Sequence, residues 1–182
     1  MTQTRLFYEI IPDSPARSVL VVSHGRMLVA VEIGLLSVKD ARTRAAKRFP
    51  LAVPARTSAA TQLREYFAGK RRAFDLDVEL GGLGPFHTAA LRVCGGIPFG
   101  CVATYGQVAE AAGSARAARA VGGAMRVNPA PIVIPCHRVV ASDGLGGFMG
   151  RGGLDIKRAL LELEGAHLPA RGMHGNRMRQ AP

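Results

Sequence analysis

The residues best suited to chemistry are Pro135-Cys136-His137-Arg138, which follow an apolar run at residues 132–134. Because cations favour the nucleophilic thiolate, we expect His137 and Arg138 to lower the pKa of Cys136. Pro135 restricts the residue before it to an extended conformation, which predicts a rigid corner. Side chains alternate along an extended chain, so a turn or a bridging water must connect Cys136 with His137. The alternative is an unreactive core cysteine beside a chance histidine.

The first half of the chain predicts a small β-sheet with helices. Short β-branched runs alternate with turn-forming residues, which is the pattern of an antiparallel meander. The predicted strands are residues 4–11, 18–22, 27–33 and 74–80, with turns at 12–15 and 23–26. Ser37 predicts the N-cap of one helix, which ends near Arg48, and Thr57 or Ser58 predicts the cap of another, which ends at Phe67.

The second half predicts helices, after a glycine-rich linker at residues 81–84. The predicted helices are residues 85–93, 104–111, 114–125 and 154–164. Gly113 and the cap residue Ser114 join the middle pair into a helix-turn-helix. The fold class is therefore α+β, in three parts. These are a small N-terminal β-sheet domain with helices at 1–84, a mainly helical C-terminal domain with the helix-turn-helix and Cys136 at 85–165, and a loose basic tail at 166–182.

The composition adds a strong positive charge. Lys and Arg number 24 against 13 Asp and Glu, which gives a formal net charge of +11. This excess favours a polyanionic partner, nucleic acid before an anionic membrane, and a merely cationic surface is the alternative. No run approaches the ~18 apolar residues of a membrane helix, and no secretory pattern is present. With three cysteines that form no disulfide framework, these features predict an intracellular, cytoplasmic protein.

Several motifs accompany Cys136 along the second half. They are Ile97-Pro-Phe-Gly, Ala103-Thr-Tyr-Gly-Gln-Val-Ala109, Arg119-Ala-Val-Gly-Gly-Ala-Met-Arg126, Asn128-Pro, Pro135-Cys-His-Arg-Val-Val140, Ser142-Asp-Gly-Leu-Gly and Lys157-Arg-Ala-Leu-Leu-Glu-Leu-Glu-Gly165. Together they resemble the C-terminal domain of the O6-alkylguanine-DNA alkyltransferases, or methylated-DNA–protein-cysteine methyltransferases. The N-terminal half resembles the small β-sheet domain of that family only in general plan.

The resemblance implies catalytic roles. Cys136 would be the acceptor thiolate, and His137 would be its base, acting through a water. Glu164 would orient His137 and stabilise its cation, which completes a nucleophile, a base and an orienting group. Tyr105 would supply a proton to the departing guanine, and Asn128 would tie the recognition helix to the active-site strand. The alternatives are a solvated helix end for Glu164, a core or capping position for Tyr105 and a plain Asn-Pro turn for Asn128.

The second helix of the helix-turn-helix would meet DNA. By resemblance Arg119 fills the gap left by a flipped nucleotide, on a helix that enters the minor groove. Arg116 and Arg126 are spaced to share its face, so we expect them to contact phosphate. Small residues, including Ala118 and the glycines at 122 and 123, predict that backbone closely approaches either DNA or another helix. The expected partner is double-stranded DNA containing O6-alkylguanine, bound by a monomer without a cofactor and without a membrane.

Met125, Val139, Phe148 and Met149 would line the pocket for the flipped guanine. Two of them depart from the family pattern, because Phe148 replaces the usual tyrosine and Met149 a common serine. Both replacements remove a hydroxyl, which predicts weaker stabilisation of the leaving group. Arg151 and an extra glycine at 152–153 leave the register of this loop open.

Two other functions compete with alkyl transfer. A non-repairing sensor of alkylated DNA would lack the acceptor cysteine, which Cys136 supplies. A cysteine hydrolase would need an oxyanion site and leave the basic helix-turn-helix unexplained. No cysteine precedes Cys94, so the structural zinc that some relatives hold in the N-terminal domain is not expected. Cys94 and Cys101 are expected to be small core residues, and a disulfide between them is the alternative.

Overall fold

A computed structural model describes residues 5–149 and 152–167. Within these residues the chain forms two compact units, one holding residues up to 82 together with 129–133, the other holding 83–128 and the chain from 134 onward. The prediction placed the whole range 85–165 in the second domain, whereas the structure assigns the segment 129–133 to the first unit. This segment belongs to the first unit because its backbone meets the sheet there, where the Val31 N–H donates to the Pro129 carbonyl at 2.8 Å.

The N-terminal unit is built on a five-stranded sheet. Its strands in chain order are β1 Phe7–Ser14, β2 Arg17–His24, β3 Met27–Leu35, β4 Val53–Pro54 and β5 Asp77–Val78. The sheet order is β4-β1-β2-β3-β5, with an antiparallel centre and parallel edge pairs. The predicted meander is confirmed, but the predicted turn at 12–15 is too long. A bulge keeps β1 paired through Ser14, and the predicted strand at 74–80 is reduced to two residues.

Two helices of the N-terminal unit begin where predicted. Helix α1 spans Val38–Arg48, and the Ser37 side chain accepts a hydrogen bond from the Asp40 N–H. Helix α2 spans Ser58–Phe67, and Thr57 accepts from the Ala60 N–H in the same way. Alanines of α1 pack on the sheet in a core made by Leu20, Val22, Ala30, Ala41 and Ala45. Small side chains allow the helix to approach the sheet closely.

The C-terminal unit is mainly helical. Its helices are α3 Pro85–Gly95, α4 Tyr105–Ala111, α5 Ala118–Arg126 and α6 Gly153–Leu163. A single turn of 3₁₀-helix, Cys136–Arg138, leads into β7 Val139–Val140, which pairs in parallel with β6 Ala103–Thr104. Thr104 and Gln107 form a reciprocal capping box that fixes the start of α4 directly after β6. Because Tyr105 is the first residue of α4, this capping box also fixes the direction in which the Tyr105 side chain extends from the backbone.

Ser114 does not cap the second helix of the helix-turn-helix, contrary to the prediction. Gly113 reverses the chain with φ 84° after α4. Residues 114–117 then form a turn, which the Ala117 N–H closes onto the Ser114 carbonyl. Helix α5 consequently begins at Ala118, and Arg116 lies in the turn before it. Arg116 therefore does not share a helical face with the later arginines, which corrects the spacing argument.

Helix α6 ends at Leu163, and Gly165, which follows the C-cap residue Glu164, adopts φ 64°. The predicted basic tail at 166–182 lies outside the described residues from position 168 onward. Of the helices that the structure describes, none is both long and apolar enough to cross a membrane.

Candidate active site

The thiol of Cys136 lies on a tight turn. The Cys136 N–H donates to the Ile134 carbonyl, and the Arg138 N–H donates to the Pro135 carbonyl, both at 2.8 Å. Shortly before the turn, Ile132 adopts φ 79°, which is a strained conformation for a β-branched residue. The sequence required a turn or a water between Cys136 and His137, and the backbone here supplies a turn.

His137 and Glu164 form a fully buried pair. Nε2 of His137 lies 2.8 Å from Oε1 of Glu164, and neither side chain is exposed. Nδ1 of His137 has no hydrogen-bond partner among the described atoms of the protein. The structure therefore joins two of the predicted catalytic residues, which lie 27 positions apart in the chain.

Arg138 neutralises the carboxylate of this pair. Its Nε and Nη2 donate to the two oxygens of Glu164, each at 2.8 Å, and its Nη1 donates to the Ile97 carbonyl at 2.5 Å. The Gly100 N–H donates to the same carboxylate at 3.2 Å. From the sequence, Arg138 was expected to lower the pKa of the Cys136 thiol. In the structure its guanidinium instead binds the Glu164 carboxylate. Such bidentate contacts are among the strongest charge-assisted hydrogen bonds.

The pKa of Cys136 is not lowered as the sequence suggested. Burial raises the pKa of the thiol to about 11, and a hydrogen bond from the Asn128 side chain and the charge of Lys157 oppose this only in part. Burial also lowers the pKa of His137, against the raising effect of Glu164. The resting site therefore holds a neutral thiol beside a neutral imidazole at pH 7.

Asn128 connects the end of α5 to the segment that leads into the turn Cys136–Arg138. Its side-chain amide donates to the Ile134 carbonyl at 2.8 Å, in a buried position. The same side chain hydrogen-bonds the thiol of Cys136. Asn128 thus supplies both a link between two backbone segments and a contact with the thiol of Cys136.

Tyr105 and Lys157 meet at one backbone carbonyl. The Tyr105 hydroxyl donates to the Gly147 carbonyl at 3.2 Å, and Nζ of Lys157 lies at the same distance. Burial raises the pKa of Tyr105, so its hydroxyl keeps its proton at neutral pH. Sequence reasoning gave Lys157 no role. A lysine on an amphipathic helix normally lies at the surface, and burial is the signal that reveals this one.

The four predicted pocket residues differ in their surroundings. Val139 is fully buried, Met125 is nearly so, Phe148 is half-buried and Met149 is exposed. Gly146 keeps the loop close to Tyr105, since a Cβ on Gly146 would lie 2.9 Å from Cε2 of that ring. Of the four side chains, therefore, Phe148 and Met149 are the more accessible.

The predicted DNA-contacting arginines are all exposed. Arg119 and Arg126 lie on α5, Arg116 lies in the preceding turn, and Ala118 is half-buried at the start of the helix. The glycines of α5 separate into two kinds. A Cβ on Gly123 would lie 3.4 Å from the His87 side chain of α3, whereas one on Gly122 would meet open space. Close packing between helices therefore explains Gly123, and Gly122 leaves an open backbone surface.

The remaining cysteines do not form a disulfide. Cys94 is buried, Cys101 is exposed, and both are free thiols. The expectation that both are core residues is wrong for Cys101, because the turn after α3 brings it to the surface. Within residues 5–149 and 152–167, no group of His, Cys, Asp and Glu could hold a metal ion.

Comparisons with known proteins agree on one family. A family model described as 6-O-methylguanine DNA methyltransferase, DNA binding domain, matches residues 85–166. The chain is 36% identical over 159 residues to the methylated-DNA–protein-cysteine methyltransferase of Mycobacterium tuberculosis strain H37Rv, covering 87% of this chain and 92% of that protein. The crystal structure of the M. tuberculosis O6-methylguanine methyltransferase is similar, with TM-score 0.72 and 35% identity over 91% and 96% of the two chains. M. tuberculosis OGT in complex with DNA is also similar, with TM-score 0.70 and 35% identity over 90% and 96%.

Proposed function

The chain belongs to the methylated-DNA–protein-cysteine methyltransferases, and we propose that Cys136 is the cysteine that accepts the alkyl group from O6 of guanine. The observation that carries the proposal is the buried pair of Glu164 and His137, the residue after Cys136, with Nε2 of His137 2.8 Å from Oε1 of Glu164. A buried charge that is paired and hydrogen-bonded costs far less than an isolated one. A base held this way can act on the neighbouring thiol.

The thiol must lose its proton before it reacts. The Nε2–H of neutral His137 donates a hydrogen bond to the Glu164 carboxylate. The lone pair of Nδ1 is then free to take the thiol proton through a bridging water. The imidazolium that forms is stabilised by the Glu164 carboxylate. The positive charge of Arg138 partly offsets that of the carboxylate and lowers the pKa of His137, which favours the neutral imidazole in the resting state. The base is therefore ready to accept a proton when substrate binds.

The transfer itself is a single displacement. The thiolate sulfur forms a bond to the alkyl carbon while the bond between that carbon and guanine O6 breaks. The electron pair moves onto the guanine ring, and the Tyr105 hydroxyl supplies the proton that makes guanine a neutral leaving group. The raised pKa of Tyr105 supports this role, since the donor must hold its proton at neutral pH. The product is a thioether, which offers no easy route back to the thiolate, so each protein molecule reacts once.

DNA is the macromolecular partner, in agreement with the DNA-binding domain that matches residues 85–166. The reacting carbon is attached to a stacked base, so the alkylated guanine must leave the duplex, at a cost of a few kcal/mol. We assign Arg119 to the gap that the base leaves, because its side chain is exposed on α5. Arg116 and Arg126 contact phosphates, and Met125, Val139, Phe148 and Met149 surround the extruded base. The repairing species is a monomer.

The decisive test is mass spectrometry after incubation with a duplex containing O6-methylguanine. We expect Cys136 to gain one methylene mass and the yield to stop at one group per protein. Cys136→Ala should gain nothing while it still binds DNA, and Cys101→Ser, a control at an exposed thiol, should react like the wild type. Methylation of Cys94 or Cys101, or sustained turnover, would refute the assignment. Binding without mass gain would indicate a sensor, and neither binding nor gain would leave a hydrolase.

A further inference from the structure

Lys157 is a buried lysine in the C-terminal unit. Its side chain is fully buried on α6. Nζ donates to the carbonyls of Val139 and Leu145 at 2.6 Å each and of Gly147 at 3.2 Å. An ammonium group has three N–H donors, and all three have a carbonyl acceptor. Removing such a charge from water is costly, so this arrangement calls for an explanation beyond packing.

The three carbonyls belong to two segments that the reaction needs. Val139 directly follows the turn that carries Cys136, whereas Leu145 and Gly147 lie in the loop before Phe148. The Gly147 carbonyl also accepts a hydrogen bond from the Tyr105 hydroxyl. One ammonium therefore links the strand after the thiol, the loop at the base pocket and the hydroxyl that protonates guanine.

We propose that Lys157 is a positioning residue for alkyl transfer, whose ammonium holds the loop at residues 145–148 and the Tyr105 hydroxyl in place beside Cys136. This inference rests on the proposed function, because it assumes that the loop receives the guanine and that Tyr105 protonates it. Lys157 touches neither the thiol nor the base in this role and acts through the backbone carbonyls.

The positive charge is essential to this role. A neutral amine has two donors and would direct a lone pair at one carbonyl, so loss of the proton releases part of the loop. Burial lowers the pKa of Lys157 to about 8, which places this change in an accessible pH range. The ionisable groups facing Lys157 are Cys94 on α3, Tyr105 on α4, and Cys136 and His137 on the reactive turn.

These neighbours titrate outside the range from pH 8 to 9.5, so a change in the behaviour of the loop within that range can be attributed to Lys157. Burial moves the pKa of Cys94 and Tyr105 above their ordinary values and that of His137 below its ordinary value. Ionisation of Cys136 affects any reaction of the thiol, so it cancels in a ratio of two such reactions. Iodoacetamide needs only the thiol, whereas O6-benzylguanine also needs the loop and Tyr105. The ratio of their rates therefore measures how well the loop is held.

The first test uses the unaltered protein. Rates of Cys136 modification by O6-benzylguanine and by iodoacetamide are followed from pH 6 to 9.5 by mass spectrometry of the Cys136 peptide. We expect a constant ratio below pH 8 and a fall approaching about tenfold per pH unit above it, as the ammonium is lost. A ratio that stays flat to pH 9.5 would overturn the proposal. A wild type that reacts with iodoacetamide but never with O6-benzylguanine would contradict the proposed function instead.

The second test removes the charge. Lys157→Met keeps the length of the side chain, and Arg158→Met is the control, since Arg158 is the next residue on α6 and is exposed. We expect Lys157→Met to lower the rate ratio at pH 7 about 100-fold and to make it independent of pH, while Arg158→Met retains the wild-type profile. Equal losses with both reagents in Lys157→Met would overturn the proposal, because the lysine would then act on the thiol or on folding alone.

Discussion

Glu164 holds a negative charge in a fully buried position, and two neighbours compete for it. The Arg138 guanidinium makes two contacts with the carboxylate, and the His137 ring makes one. A buried charge is tolerated only when such partners surround it. The arrangement keeps the imidazole oriented and still neutral, as the proposed role of His137 as a base requires.

Replacing Glu164 with Gln should therefore damage both stability and reactivity. Loss of the carboxylate leaves the Arg138 charge buried without its counterion, and breaking such a pair costs about 3–5 kcal/mol. We expect urea unfolding to show a loss of about 3 kcal/mol and transfer from O6-benzylguanine to slow about 100-fold. The control Glu162→Gln, an exposed change on the same helix, should stay within about 0.5 kcal/mol of the wild type. Unchanged stability in Glu164→Gln would show that the pair contributes nothing net.

Single residues differ in how much of their role could be predicted from the sequence. Cys136, His137 and Glu164 were predicted as catalytic residues because the motifs around them resemble a family, and the structure places Nε2 of His137 2.8 Å from Oε1 of Glu164. The pKa of Cys136 was predicted in the wrong direction, because the neighbours in sequence were counted and the burial was not visible. Lys157 was missed for the same reason.

At the scale of elements, the loop before α6 depends on one glycine. Gly146 adopts φ 66°, which is a left-handed conformation that other residues adopt at a cost. A Cβ there would also lie 2.9 Å from the Tyr105 ring and 3.0 Å from the Ala141 nitrogen. The Ala141 contact is with backbone, which cannot move aside cheaply. The loop and Tyr105 are therefore compatible only when position 146 has no side chain.

Gly146→Ala should consequently displace Tyr105 or the loop. We expect a destabilisation of about 1–3 kcal/mol and a loss of at least about tenfold in the rate with O6-benzylguanine. Gly95→Ala is the matched control, since a Cβ at this position in α3 meets nothing within 4 Å. Thermal unfolding and mass spectrometry of the modified Cys136 peptide measure the two effects. If the two variants behave alike, the close approach at Gly146 does not constrain the site.

Helix α5 allows a second test at this scale. Arg119 is exposed on α5, whereas the turn that carries Cys136 lies later in the chain. Arg119→Ala should slow repair of O6-methylguanine in duplex DNA by about 10–100-fold, because the gap left by the extruded base is no longer filled. The rate with free O6-benzylguanine should stay within about twofold. Equal losses with both substrates would show that Arg119 supports the pocket and not the flipped base.

The elements that could be predicted are those with a local signal. Ser37 and Thr57 cap their helices as expected, because the hydrogen bond of an N-cap lies within a few residues. Ser114 carries the same local signal and does not cap, since residues 114–117 are needed to turn the chain after α4. The packing of segment 129–133 with the first unit depends on contacts distant in sequence, which no local pattern reveals.

At the scale of the whole molecule, positive charge is present in both halves. Residues before 85 carry 13 basic and 8 acidic side chains, and the rest carry 11 and 5. Contact with DNA phosphates releases counterions, so binding weakens as salt rises, by about −0.9 on the log–log slope for each phosphate neutralised. The number of phosphates contacted, and the residues that contact them, can therefore be read from the slope of each variant.

Arg116→Ala and Arg126→Ala should each reduce this slope by about one unit if the residue touches a phosphate. The two variants test different surfaces, because Arg126 lies on α5 and Arg116 lies in the turn before it. Neither change should alter which sequence is bound, since phosphate contacts carry no base information. Arg42→Ala, an exposed change on α1 of the N-terminal unit, is the control and should leave the slope unchanged. Fluorescence anisotropy with an undamaged duplex, titrated at several salt concentrations, measures every variant.

The competing source of charge is the C-terminal tail with Arg171, Arg177 and Arg179. A chain that ends at Gly165 lacks all three, and every residue of the helix-turn-helix remains in it. If the tail accounts for the salt effect, this truncation flattens the slope while Arg116→Ala and Arg126→Ala leave it unchanged. That result would remove the electrostatic argument for α5 as the DNA-binding surface. If α5 and its preceding turn bind the phosphates, the truncated chain keeps most of its slope and each arginine variant still loses about one unit.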